Sequence, residues 1–287
     1  MNAAWTDALA LIRANREVLA VVAGVFILLP ALAMAVLFAD QQTQAMGMLR
    51  SMLQGGVLRP PVGQASPTPG WFVALSLAMF LVQLVGYLSL LALMDSRQRP
   101  TVGQAIVTGL KCLLPFVGAM LLFVIAYAVV AVVFSLLIAV VVGGLGAGTG
   151  TTGAAAGLIG IFTFALFVVV FWMMVRFSLT LAEIVLGHTL NPAAALIRSW
   201  RLTKGNSARL FGFYILLFLA YLVIAMVLFG VLMAAGAVLP GQVGGLVMGL
   251  VSGLISAVFA VLVTALIAAI YRQVAGPSAQ DLAGTFE

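Results

Sequence analysis

Charged side chains are scarce in this sequence: aspartate, glutamate, lysine and arginine together make up 7% of its 287 residues. A soluble domain carries about 25% charged residues, which keep its surface in water. Hydrophobic residues make up 64% of the chain, and the mean hydropathy is +1.27. Most segments between polar breaks are apolar and about 20 residues or longer, which is the length that spans a hydrocarbon core. The composition therefore predicts that residues 1–287 form a single polytopic membrane domain.

Side chains that catalyse reactions or bind metals are also scarce. His188 is the single histidine, Cys112 is the single cysteine, and the seven acidic residues are scattered along the chain. One cysteine cannot form an intramolecular disulfide, and no cluster of histidine, cysteine or carboxylate has the spacing of a zinc site. The sequence also lacks a carboxylate pair, a nucleophile elbow and a phosphate-binding loop. We expect a protein that is not an enzyme and that needs no cofactor or metal.

Six long apolar segments predict an all-α integral membrane protein with about six transmembrane helices. The predicted spans are residues 18–39, 71–94, 113–142, 158–186, 210–234 and 246–270. Residues 1–17 have an amphipathic pattern that suits a helix at the membrane interface, and residues 271–287 form a polar tail. Pro30 is expected to kink the first span, because proline cannot donate a helical hydrogen bond. Asn191 and Pro192 have the residue types of the cap and first position of a short helix.

Basic residues are distributed unevenly between the two sides that six crossings define. One side holds only Arg50 and Arg59. The side of the two termini holds ten: Arg13, Arg16, Arg97, Arg99, Lys111, Arg198, Arg201, Lys204, Arg209 and Arg272. The positive-inside rule then predicts that both termini and the tail are cytoplasmic. Because these residues flank apolar spans rather than forming one soluble patch, we expect no binding to nucleic acid.

Short amphipathic segments recur directly before predicted spans. An offset of 90 residues aligns residues 101–106 with residues 191–196, and an offset of 185 aligns residues 10–13 with residues 195–198. The pattern favours three repeated units, each an interfacial helix followed by a membrane hairpin. Such repeats occur in transporters, and simple duplication in a structural protein gives the same pattern.

Three polar residues are candidates for a polar intramembrane site. Arg176 and Glu183 are seven residues apart, so one continuous helix would carry them on one face. Ionisable groups at membrane depth are costly and usually have a partner. We interpret the pair as a snorkelling side chain and a structural ion pair with a neighbouring helix; the alternative is a polar site near the cytoplasmic mouth that contacts a headgroup or substrate. Gln83 in the second span is the best candidate for a buried polar contact.

Small residues recur at every fourth position around the last span. The four glycines of this row are Gly241, Gly245, Gly249 and Gly253. Small residues at this spacing allow two helix backbones to approach closely. The row predicts helix packing inside the bundle, with homodimerisation as the alternative.

An aromatic and basic segment precedes the fifth span. It contains Arg198, Trp200, Arg201, Lys204 and Arg209. Near an anionic membrane surface, each basic side chain contributes about 1 kcal/mol of attraction. The segment predicts contact with lipid headgroups or with a partner protein; the alternative is that these residues are ordinary positive-inside anchors.

Three parts of the sequence carry a family resemblance. They are residues 176–186 (RFSLTLAEIVL), residues 195–206 (ALIRSWRLTKGN) and residues 269–273 (AIYRQ). This pattern resembles the signature of the bacterial glycerophosphoryl diester phosphodiesterase membrane-domain family, over most of the chain from about residue 71. The resemblance implies a multi-helix domain of the bacterial inner membrane, which in some proteins precedes a soluble phosphodiesterase domain. We expect that catalytic domain to be absent here, so the resemblance implies location and architecture but no activity.

Together these patterns predict a non-catalytic protein of the bacterial inner membrane that organises lipids or partner proteins through cytoplasmic interfacial helices. The alternative is a small transporter or lipid-handling channel with a polar site at Arg176 and Glu183. Membrane lipids are the expected partners, and a protein partner or a homodimer is a further alternative.

Overall fold

The computed structural model describes residues 2–37, 70–95, 100–144, 153–205, 207–236 and 241–275. Across these ranges the regular structure is entirely helical, with no strand. The helices are α1 (Asn2–Ala14), α2 (Arg16–Ala23), α3 (Leu29–Leu37), α4 (Gly70–Leu93), α5 (Val102–Gly144), α6 (Gly153–Phe177), α7 (Thr180–Val185), α8 (Pro192–Thr203), α9 (Ser207–Gly236) and α10 (Gly241–Ala275).

Six helical stretches in the described part of the chain are long and apolar enough to cross a membrane. They are Arg16–Leu37, Gly70–Leu93, Val102–Val141, Gly157–Val185, Leu210–Leu228 and Gly249–Ala275. The predicted all-α fold class and the six apolar helices are therefore confirmed. Such a set of helices is consistent with a multi-pass membrane protein.

The first of these stretches is not a uniform α-helix. A π-helical turn, Gly24–Leu28, joins α2 to α3 and ends two residues before Pro30. Proline has no N–H for the carbonyl four residues earlier, which here is the carbonyl of Phe26 inside the π-helical turn. Asn15 separates α1 from α2 with non-helical backbone angles of φ −123° and ψ 19°. The predicted interfacial segment is thus a separate helix, α1.

Helix α5 differs from the prediction of a short interfacial helix followed by a span. It is one continuous helix of 43 residues. Thr101 and Gln104 form a capping box, in which the backbone N–H of each residue donates to the side chain of the other, at 3.0 and 3.4 Å. Gly103, Gly109 and Pro115 each disfavour a helix, and α5 continues through all three. The segment before the predicted span 113–142 therefore belongs to the same helix as the span.

The fourth predicted span, 158–186, is interrupted near its end. Helix α6 ends at Phe177, a turn follows at Ser178, and the short α7 begins at Thr180. The Ser178 hydroxyl donates to the Val175 carbonyl at 2.7 Å. Such local hydrogen bonds from serine compete with the helical pattern. Arg176 and Glu183 consequently lie on two different helices and do not share one helix face.

Cα proximity divides the chain into two compact units. Unit 1 consists of Met1–Leu110 and Phe218–Ile270, and unit 2 consists of Lys111–Leu217 and Tyr271–Glu287. In unit 1 the second half of α4 is almost entirely buried, with Leu88, Leu90 and Leu91 fully enclosed. In unit 2 the most enclosed apolar side chains belong to α7 and the residues beside it, among them Leu179 and Ile184.

Two glycines of the predicted packing row lie against the first span, within unit 1. A Cβ atom on Gly249 would overlap the Cβ of Ala35, and one on Gly253 would lie 2.9 Å from Cδ1 of Leu28. These contacts show close approach of α10 to α3 and to the π-helical turn. The side-chain surroundings of Gly241 and Gly245 lie outside what the structure describes.

We expect the Gly249→Ala substitution to destabilise unit 1, because the added methyl group meets a Cβ atom that cannot rotate away. Overpacking of this kind costs about 1–3 kcal/mol. Gly230→Ala is the matched control, since Gly230 is also helical but has no atom within 4 Å of its Cβ position. Thermal unfolding of both purified variants in the same detergent checks this. An equal melting temperature for the two would contradict the close contact.

Candidate functional site

Helix α8 is amphipathic and begins at a well-formed cap. The Asn191 side chain accepts hydrogen bonds from the backbone N–H groups of Ala193 and Ala194 at 3.1 and 3.3 Å, and Pro192 occupies the first position. The predicted start of the helix is therefore confirmed. One face is buried through Ala195, Ser199 and Thr203, which are four residues apart. The opposite face is left to the basic residues.

The basic face contains three described cations. Arg198 and Arg201 on α8, and Lys204 immediately after it, are all exposed, whereas Trp200 is half-buried. These four predicted residues therefore belong to one segment of the chain, residues 198–204. The side chain of Arg209, the fifth residue of the prediction, lies outside what the structure describes.

Ser199 attaches α8 to the end of α6. Its hydroxyl is fully buried and donates to the backbone carbonyl of Arg176 at 2.8 Å. The last carbonyls of a helix have no partner within the helix, and α6 ends one residue after Arg176. Ser199 thus satisfies a backbone acceptor that the end of α6 leaves open.

The Arg176 side chain makes a second connection between these helices. Its guanidinium carbon is 4.7 Å from the ring centres of both Trp172 and Trp200, whose planes are almost perpendicular at 89°. Its Nη1 donates to the Trp200 carbonyl and its Nη2 to the Ser207 hydroxyl, each at 3.4 Å. Cation–π contacts contribute about 0.5–2 kcal/mol, more where water is excluded. Arg176 is therefore engaged in holding α8 and the start of α9 against α6.

Glu183 is the centre of a separate polar cluster, which we call the Glu183 cluster: Glu183, Thr189, Arg198 and Tyr271. Only 3% of the Glu183 side chain is exposed. Its Oε1 pairs with Nη1 of Arg198 at 3.0 Å and accepts from the Thr189 hydroxyl at 3.0 Å. Its Oε2 accepts from the Tyr271 hydroxyl at 2.9 Å. Both carboxylate oxygens are thus satisfied, as a buried charge requires.

A tight turn at Gly187 and His188 makes this cluster possible. A Cβ on Gly187 would lie 2.6 Å from the Glu183 carbonyl and 2.8 Å from both Glu183 Oε1 and the Tyr271 hydroxyl. The next residue, His188, has a φ of 51° in the left-handed region, which non-glycine residues seldom adopt. The turn returns the chain so that Thr189 contacts Glu183 through both its N–H and its hydroxyl.

The three predicted intramembrane polar residues lie in separate environments. Arg176 contacts the two tryptophans, and Glu183 contacts the cluster defined above. Gln83 is half-buried on α4, in unit 1. Within the described ranges, no group of three histidine, cysteine, aspartate or glutamate side chains has an arrangement that could hold a metal ion.

Several residues of this region were not predicted from the sequence. Trp172 could have been, because it precedes Arg176 by one helical turn. For Thr189 and Ser199, the only signal in the sequence was that their side chains are polar. Tyr271 is 88 residues from Glu183, and no local pattern links the two.

The comparison with known proteins identifies a family. Residues 2–274 match the model of DUF7847, a domain of unknown function. The chain belongs to this family. The DUF7847 match includes all of α8 and every residue of the Glu183 cluster. No curated protein and no solved structure matches the chain.

We expect Gly187→Ala to destabilise this DUF7847 chain, because the new methyl group would displace the Glu183 carbonyl and carboxylate together. The cost of such a clash is about 1–3 kcal/mol. Gly212→Ala is the control: Gly212 lies on α9 in open space, where alanine favours the helix. The measurement is thermal unfolding in detergent. A Gly187→Ala protein as stable as the control would show that the turn tolerates a side chain.

Proposed function

We propose that the chain is a non-catalytic, multi-pass protein of the bacterial inner membrane, and that α8 binds the headgroups of anionic lipids. The observation that carries the proposal is the rigid attachment of α8 to the end of an apolar span, with Arg198, Arg201 and Lys204 exposed. In this role the protein organises lipids around its cytoplasmic surface.

The end of α6 supports a position of α8 at the level of the headgroups. Earlier in α6, large apolar side chains such as Phe164 and Phe167 are exposed, as lipid-facing side chains are. The side-chain hydrogen bonds that the structure describes between α6 and other segments begin at Arg176, one residue before the helix ends. Tryptophan is enriched where a membrane meets water, and Trp172 and Trp200 flank this position.

The cytoplasmic side is proposed from the distribution of basic residues. The side that carries α8 also carries the termini and most of the arginine and lysine residues, which favours the cytoplasm. The resemblance of residues 176–186 and 195–206 to the glycerophosphoryl diester phosphodiesterase membrane-domain family supports a bacterial inner membrane.

The expected strength of the interaction follows from the number of cations. Glu183 neutralises Arg198, so at about 1 kcal/mol for each of Arg201 and Lys204, α8 would favour an anionic over a neutral headgroup by roughly 30-fold. This preference is enough to enrich anionic lipids beside the protein. If α8 binds a protein instead of a lipid, we propose that the partner has an acidic surface or is a second copy of this chain.

The alternative is a small transporter or lipid-handling channel with a polar site at Arg176 and Glu183. The buried Glu183 carboxylate is the observation that favours it. However, the two side chains have separate partners, and the described contacts of both are made within the protein. Exposed cations on α8 are available to a ligand without rearrangement, so we favour headgroup binding.

We expect the double substitution Arg201→Gln/Lys204→Gln to lower binding of phosphatidylglycerol about 30-fold, since it removes the two α8 cations that Glu183 does not neutralise. Binding to phosphatidylcholine should change little. The measurement is native mass spectrometry of the full chain after titration with each lipid. The control is Arg13→Gln/Arg16→Gln, which removes two exposed cations from α1 and α2. Equal binding by the two double variants would exclude α8 as the lipid site.

A further inference from the structure

We infer that Arg198 is a pre-organised binding site for a phosphate group, and that buried Glu183 positions it. The inference rests on the proposed function and adds to it the ligand group and the residue that selects it. The ligand class is the phosphodiester of an anionic phospholipid headgroup.

One side of the Arg198 guanidinium is bound by the protein, and its other edge is open. Nη1 contacts Glu183 Oε1 at 3.0 Å and the Thr189 hydroxyl at 3.2 Å. Both contacts that the structure describes for this guanidinium end on that single nitrogen. At the same time, 61% of the Arg198 side chain is exposed. The Nε and Nη2 edge is therefore available to a ligand from the surface.

The anchor itself is rigid. Glu183 is buried, Tyr271 holds its second oxygen, and Thr189 is held by the turn through its backbone N–H. A long side chain normally loses conformational freedom when it binds a ligand, and ordering one such side chain weakens binding by up to about tenfold. Because Glu183 has already ordered Arg198, a ligand does not incur this loss.

The open edge of a guanidinium matches phosphate in shape and charge. Its planar donors can form two parallel hydrogen bonds to phosphate oxygens, which an ammonium group cannot do. Glu183 neutralises the charge of Arg198, so the attraction for an anion comes from neighbouring Arg201 and Lys204. These cations would repel the ammonium of a zwitterionic headgroup. An anionic phosphodiester is therefore preferred.

The Glu183→Gln substitution gives a test in which two explanations predict opposite changes in lipid affinity. If only net charge matters, removing a carboxylate makes the surface more positive and strengthens phosphatidylglycerol binding. If Glu183 positions Arg198, the released side chain becomes mobile and binding weakens, by about tenfold. We expect weaker binding of the full-length variant in nanodiscs, measured by native mass spectrometry. Unchanged or stronger binding would overturn the inference.

Two further variants separate positioning from loss of structure. Tyr271→Phe removes a hydrogen bond from the same carboxylate but leaves the contact between Glu183 and Arg198, so it should affect melting temperature more than lipid affinity. Arg198→Lys keeps the charge and removes the planar fork, so it should weaken binding about as much as Glu183→Gln. Retained affinity in Arg198→Lys, or equal loss of affinity in Tyr271→Phe, would contradict the assignment even if Glu183→Gln does not fold.

A competition experiment distinguishes a lipid headgroup from free phosphate as the ligand of this site. Inorganic phosphate is titrated against phosphatidylglycerol bound to the unmodified protein. Lipid that stays bound at millimolar phosphate supports a headgroup site, whereas phosphate binding without lipid binding overturns it. If Arg201→Gln/Lys204→Gln loses lipid while Glu183→Gln retains it, the inference fails and the proposed function stands. If neither variant changes lipid binding, both fail.

Discussion

The need to satisfy one buried carboxylate governs how the described parts of unit 2 meet. Glu183 belongs to α7, and its three partners come from the turn after α7, from α8 and from the end of α10. A buried charge without partners is costly, and removing one partner of a buried pair is usually more damaging than replacing the whole pair. The four segments must therefore be positioned together for Glu183 to have all its partners. The direction of the chain at the Gly187 turn is in this way linked to the position of α8.

The second connection in this region has different chemistry. Ser199 and Arg176 join α8 to α6 through a backbone carbonyl and two tryptophan rings. The Glu183 cluster joins α8 to α7 and α10 through charge and hydroxyl groups. The two connections reach α8 at three consecutive residues near the middle of its length, Arg198, Ser199 and Trp200. The helix that carries the exposed cations is consequently attached to α6, α7 and α10.

The parts of the fold that depend on local rules could be predicted from the sequence. Six apolar stretches of bilayer length give six helices, and Asn191 with Pro192 marks the start of α8 because capping involves only adjacent residues. Local rules failed where a helix either continued or broke against expectation. Nothing in residues 101–115 stops α5 strongly enough to separate an interfacial helix, whereas the turn at Ser178 divides a segment that is predominantly apolar. The contact of Tyr271 with Glu183 depends on tertiary packing, so the candidate site could be predicted only in part: its cations and Glu183 were found, and the contacts of Thr189 and Tyr271 with Glu183 were not.

The placement of the aromatic residues at α8 has an optical consequence. The chain contains four tryptophans, and two of them, Trp172 and Trp200, lie against the same guanidinium with ring centres 5.3 Å apart. Indole emission depends on nearby charge and on exposure to water, so the intrinsic fluorescence of the protein carries a signal from the junction of α6 and α8. The attachment of α8 can therefore be followed without an added label, with Trp5 and Trp71, on α1 and α4, as the background.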